Sequence, residues 1–162
     1  MHVEGLHRLL KEHPFFAGFD AATLELLAGC AANERFAAGE FIARAQSRAD
    51  KFFVIRHGSV ALEIRVPGRD PLIVETLHEG EILGWSWIVP PYTWSYDARA
   101  VALTRAVSLD ATCLRAKLEA DHSLGYELFK RVMPVLASRL ASARLRLVDM
   151  YGPPAGAVGR QR

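Results

Sequence analysis

Apolar positions along this chain keep a helical period at both ends and a shorter, turn-punctuated period between. Over residues 4–31, Leu6, Leu9 and Leu10 share one face, Pro14 interrupts, Asp20 can cap, and Leu24, Leu26 and Leu27 lead to Gly29, which predicts N-terminal helices over 1–31. From Arg35 to Ala111 short apolar segments are separated by Ala38–Gly39, Ser47–Asp50, His57–Gly58–Ser59, Pro67–Gly68–Arg69–Asp70 and Glu79–Gly80. Phe52, Val54, Val60, Leu62 and Ile64 alternate about a hairpin turn at His57–Gly58, and Leu72, Val74 and Thr76 continue the pattern. That spacing predicts an antiparallel β-roll over 34–111 rather than βαβ units.

After Ala111 the helical period returns over 112–151. Leu114 and Leu118 mark a short helix, and a long one runs from about Leu124 to Tyr151, where Gly152–Pro153–Pro154 ends it. Met133, Leu136, Leu140, Ala143, Leu147 and Met150 follow the 3-4 spacing of a coiled-coil seam, and Leu128, Val132, Val135 and Val148 form a second stripe. Pro134 removes one backbone bond and is expected to kink the helix near Phe129–Lys130. The expected organisation is one domain over 1–151 and a flexible tail over 152–162.

Composition narrows the function classes. With 162 residues, 51% hydrophobic content and a formal net charge of +2, the chain supports one core and gives no bulk-charge argument for nucleic acid or membrane binding. Cys30 and Cys113 lack CxxC spacing, which argues against a disulfide framework or zinc site, reads both as small buried hydrophobes and points to a reducing cytoplasm. No secretory h-region and no run of about 18 apolar residues is present. The six histidines form no HExxH pattern, so surface or turn roles are expected and no metal. No Ser–His–Asp, paired-carboxylate or Walker pattern appears, so the chain is read as non-enzymatic.

The richest segment is Leu77–Trp87 and the strand expected from about Tyr96 to Ala106. Gly80 and Gly84 permit a tight turn with close backbone approach, and Trp85–Val89 suits a helical turn, so the outline fits a phosphate cradle. The side chains differ: Glu81 is the single charged residue between Gly80 and Tyr96, beside Trp85, Trp87, Trp94, Pro90 and Pro91.

Helix, roll, inserted glycine turn and long helix together resemble the cyclic nucleotide-binding domain of the catabolite activator and protein kinase regulatory-subunit (Crp/Fnr-like) family. The resemblance covers roughly 8–151. It rests on Gly39–Glu40, on Phe52–Phe53–Val54–Ile55 with Gly58, on Gly80 and Gly84, and on Ala98 with Leu103–Thr104. It implies an α+β fold, an antiparallel β-roll of double-stranded β-helix or jelly-roll type with N-terminal helices and a long C-terminal dimerisation helix. It also implies a ligand cassette of Gly80, Gly84, Trp85, Ser86, Trp87, Tyr96 and Ala98. The family's ribose-binding Glu falls on Trp85, its small residue near the phosphate on Trp87, its phosphate-binding Arg on Tyr96, and a usual glycine on Gln46. Loss of that Arg removes a charge-assisted bond worth roughly 1.5–3 kcal/mol.

Trp94, Tyr92 and Arg99 are further pocket candidates; alternation turns Arg99 away from the pocket if Tyr96 points in. The aromatics either fill the pocket or wall it for a planar ligand. The leading expectation is a non-catalytic small-molecule-sensing module that does not take cAMP or cGMP in the family's usual manner. The alternatives are a true cAMP or cGMP receptor using cassette amides, and a ligand-free structural dimer. No cofactor is expected beyond such a ligand. A homodimer through Met133, Leu136, Leu140, Ala143, Leu147 and Met150 is expected, with a protein partner as a further candidate, and neither membrane nor direct DNA contact, since 152–162 is too short for a helix-turn-helix.

Overall fold

The structure, a computed structural model, describes residues 3–151. Helix α1 (Val3–Glu12), a 3-10 turn (Pro14–Phe16) and α2 (Ala21–Ala28) precede eight strands. These are β1 (Ala31–Phe36), β2 (Phe41–Ala43), β3 (Lys51–His57), β4 (Ser59–Ile64), β5 (Leu72–His78), β6 (Ile82–Leu83), β7 (Asp97–Ala100) and β8 (Thr104–Asp110). Helices α3 (Ala111–Ala120) and α4 (His122–Tyr151) follow. Aspartates start three of the helices by accepting free first-turn amides: Asp20 from Thr23, Asp110 from Cys113, and Asp121 from Ser123 and Leu124.

Among the described residues the strands form two antiparallel four-stranded sheets, ordered β1-β8-β3-β6 and β2-β7-β4-β5. This is the expected α+β roll, with several local corrections. The strands around His57–Gly58 do not pair as a hairpin; β3 lies in the first sheet and β4 in the second, so the chain turns a corner there. Gly58 has φ +87°, and a Cβ on it would stand 2.5 Å from the Leu103 carbonyl, which is why the corner needs glycine. The hairpin is instead β4–β5, closed by the seven residues 65–71. Strand pairing begins at Ala31, three residues before the expected start. The strand expected over 96–106 is two strands, β7 and β8, in different sheets with a bend at 101–103.

Four successive β3 residues, Phe52–Phe53–Val54–Ile55, are buried, so both faces of this strand are covered. Phe15 packs edge-on against Phe52 at 5.5 Å between centroids, which places the N-terminal turn on that side; Phe36 lies 6.1 Å from Phe53 on the other. His13 is buried rather than a surface residue. Its Nε2 lies 3.0 Å from the Ile55 carbonyl oxygen and its Nδ1 accepts from Phe15 N–H, pinning the turn to β3. Lys51 Nζ and Ser108 Oγ both donate to Glu34 Oε1, tying β1, β3 and β8. Burial alone would raise the Glu34 carboxyl, but those two bonds and the Lys51 charge outweigh it and hold it below its ordinary value.

Cys30 and Cys113 form a disulfide, which corrects their reading as separate hydrophobes. The roll brings them together: Ala31 pairs with Leu109, and Asp110 N–H donates to the Cys30 carbonyl. Sequence spacing carries no trace of that proximity.

Residues up to Gly125 form one compact unit, and those from Tyr126 a second. In the second unit α4 continues through Pro134. Met133, Leu140, Ala143, Leu147 and Met150 are exposed and Leu136 is partly exposed. The expected chain end at 152–162 lies outside the described residues.

Candidate functional site

The glycine turn leads from β5 into β6 and on to the irregular segment 84–96. Gly80 N–H donates to the Ile55 carbonyl and Ile55 N–H to that of Glu81, both at 2.9 Å, so the turn is docked along β3. Glu81, the one carboxylate between Gly80 and Tyr96, accepts from His78 N–H at 2.7 Å through Oε2 and closes the turn. The charge available to the cassette is thereby occupied in its own backbone. Residues 85–89 form a single turn, with Ile88 N–H donating to the Trp85 carbonyl, where a helical turn was expected. The turn does not continue into a helix, so it brings no helix dipole to a ligand.

Gly84 has φ +92°, and a Cβ placed on it would lie 2.5 Å from Trp94 Cη2 and 2.7 Å from Cζ3. The Trp94 indole thus rests directly on the backbone of Gly84, one of the residues that the family resemblance assigns to the ligand cassette. Trp94 is 7% exposed and its ring centroid lies 6.4 Å from that of Phe53, on the Phe36 side of β3. Its backbone is also held: Gln46 N–H donates to the Trp94 carbonyl at 2.8 Å, Trp94 N–H to that of Ser47 at 2.9 Å, and Ala49 N–H to that of Tyr92 at 2.7 Å. Gln46 makes this loop with φ +69°, a left-handed conformation that glycine adopts without strain.

The other aromatics do not join Trp94. Trp87 is fully buried and its ring lies 5.3 Å from Phe52; alternation puts Phe52 and Phe53 on opposite faces of β3, so the two indoles lie on opposite sides of the first sheet. Expectation placed Trp87 against a phosphate, whereas it belongs to the layer containing Phe15. Tyr92 is exposed, with the Arg115 guanidinium 4.4 Å above its ring, and Arg115 Nη1 donates to the Trp87 carbonyl. Trp85 and Tyr96 are partly exposed, Ser86 is buried, and Ala98 is buried on the core side of β7.

Arg99 lies on the opposite face of β7 from Ala98. Its Nε donates to Glu63 Oε1 at 2.9 Å, and Asp97, on the same face, accepts from Ala45 N–H and from Arg65 Nε. A cavity of about 520 Å³ opens on this face, away from the glycine turn. Nothing in the sequence pattern announced it: the β4–β7 register that brings Glu63 opposite Asp97 is a product of the fold. Alternation from Ala98 was the one available signal.

Comparison with known proteins follows the same outline. The sequence profile described as "Cyclic nucleotide-binding domain" matches residues 33–121, more than half of the chain. The HTH-type transcriptional regulator Cmr of Mycobacterium tuberculosis is 27% identical over 121 residues, which are 75% of this chain and 48% of that protein. The chain thus spans about half the length of this curated relative. A Geobacter metallireducens GS-15 protein named for cyclic nucleotide binding has a crystal structure that superposes with TM-score 0.73 at 27% identity, covering 83% of this chain and 97% of that one. A cyclic nucleotide-binding domain from Methylobacillus flagellatus KT superposes with TM-score 0.75 at 16% identity, covering 94% and 86%, a likeness of fold alone.

Proposed function

The chain belongs to the cyclic nucleotide-binding domain family, and from that membership we propose that it is a non-catalytic regulatory module whose own Trp94 occupies the nucleotide's place. The seating of that indole on Gly84 carries the reading. A ring that fills the cradle gains the burial a ligand would otherwise supply, and three loop hydrogen bonds fix the backbone on either side of it. Tyr96 at the Arg position leaves the phosphate of cAMP or cGMP without a countercharge, and Trp85 at the Glu position leaves the ribose hydroxyl without its carboxylate acceptor, so their binding is expected to be weaker than about 100 μM. In this module the signal is exchanged through protein contacts.

The proposed contact is a homodimer. Met133, Leu140, Leu147 and Met150 are exposed on α4 at the spacing of a two-helix seam. The regulator activity named for the Mycobacterium tuberculosis relative is not carried over, because the match covers 48% of that protein. No described helix is long and apolar enough to cross a membrane. The Cys30–Cys113 bond removes the ground on which unpaired cysteines pointed to a reducing cytoplasm, since cytoplasmic thiols are ordinarily kept reduced; trapping thiols at lysis tests the compartment, an intact bond favouring an oxidising one and two free thiols the cytoplasm.

Rebuilding the family's ligand set tests the central reading. A chain with Trp94→Ala, Trp85→Glu and Tyr96→Arg should bind cAMP at least about tenfold more tightly than one with Trp85→Glu and Tyr96→Arg alone. Equal affinity in the two would mean that Trp94 does not block the cradle.

A further inference from the structure

The strongest unassigned feature is the cavity on the solvent side of the second sheet, remote from the glycine turn. Four guanidinium groups line it, those of Arg44, Arg65, Arg69 and Arg99. The acidic residues lining it are Glu63 and Asp97, which are 2% and 3% exposed. Two buried carboxylates require two cations, and Arg99 on Glu63 and Arg65 on Asp97 supply them, with Arg65 Nε 2.9 Å from Asp97 Oδ2. The remaining pair is surplus. Arg44 approaches Asp97 through Nε at 3.4 Å while its guanidinium lies 3.8 Å above the Phe41 ring, and Arg69 has no side-chain partner among the described residues. Asp70 and Glu75, the other acids near the β4–β5 hairpin, do not line the cavity.

The geometry points to a binding site for a small organic dianion of phosphate-monoester type. The buried carboxylates hold Arg65 and Arg99, Glu63 accepting from both Nε and Nη2 of Arg99, and Phe41 orders Arg44, so three of the four guanidinium groups lining the cavity have less freedom to lose on binding an anion. Two uncompensated positive charges match the charge of a phosphate monoester. Phe41, Val66, Pro67 and Pro71 give the same cavity apolar walls, which suits an ester with an apolar body over a bare ion. The site is independent of whether Trp94 closes the cradle, since no residue of 84–96 lines it.

Phenyl phosphate is a suitable probe, with inorganic phosphate as the comparison, titrated into the full chain and followed by amide chemical shifts. Binding below about 1 mM is expected, about tenfold tighter than inorganic phosphate, with shifts at 41–44, 65–71 and 97–99 and none at 80–94. Arg69→Glu, which takes no partner from a buried carboxylate, should weaken it about tenfold or more, whereas Arg105→Glu on the exposed side of β8 should leave it unchanged. The circular dichroism of both variants reports whether they fold. Equal loss in the two variants, shifts confined to the cassette, or no binding at 10 mM would overturn the proposal, as would equal affinity for inorganic phosphate.

Discussion

At His13 one imidazole joins the N-terminal turn to the roll, and its chemistry sets a pH limit. Burial, more than any other influence, lowers its pKa from 6.5, and the nearby Arg56 charge adds to this while the Ile55 carbonyl bond and Glu79 oppose. Between the ordinary value and the lowered one, the unfolded chain binds a proton that the folded chain does not. Stability from this group is therefore intact above pH 6.5 and falls as pH drops through that window. Urea midpoints measured from pH 7.5 to 5 should decline below 6.5, and His13→Asn should flatten that part of the curve; an unchanged slope would remove His13 as its source. Gln46 offers a change of opposite sign. Its exposed side chain sits at φ +69°, so Gln46→Gly removes a left-handed strain of about 1–2 kcal/mol against a glycine entropy cost of about 0.5–1. A net gain near 0.5–1 kcal/mol, about 1–4 °C in Tm, is expected in a thermal melt. Gly84→Ala should do the reverse, losing 2 kcal/mol or more by rough estimate, because its Cβ would meet the Trp94 ring.

Among the elements, the ends of the chain were the most legible. Helical periods at Leu6–Leu10 and Leu24–Leu27, the Asp20 cap and the long stretch from His122 needed only local rules. The middle was legible as a roll but not as a topology. His57–Gly58 reads as a hairpin turn in any local window, and only the crowding of Gly58 against Leu103 shows that the chain crosses between sheets. The same limit hid the cassette's arrangement. Five aromatics in thirteen residues announced burial, yet Trp87 and Trp94 divide between the faces of β3 according to tertiary packing on Phe52 and Phe53. The Cys30–Cys113 bond is of this kind too, spanning 83 residues that the roll folds back on itself. Closing a loop of that length stabilises by up to about 4.5 kcal/mol in the chain-entropy picture. Reductant should lower the melting temperature by several degrees, and denatured protein without reductant should show no reactive thiol; two thiols per chain would contradict the pairing.

For the whole molecule, two proposals decide how it works: a self-filled cradle and a seam on α4. Leu140→Glu places a carboxylate at the middle of the exposed apolar stripe, where a symmetric interface would bring two together unpaired. Light scattering should show a folded monomer for the variant and a dimer for the parent; a monomeric parent would leave the stripe without its proposed role. The cradle is the more central claim, because it separates this chain from relatives that resemble it in fold. The measurement that reaches it most directly is calorimetric titration of the full, unmodified chain with cAMP. A self-filled cradle gives no saturable heat up to about 100 μM. Low-micromolar, one-to-one binding would show that the nucleotide displaces Trp94 from Gly84, and would contradict it.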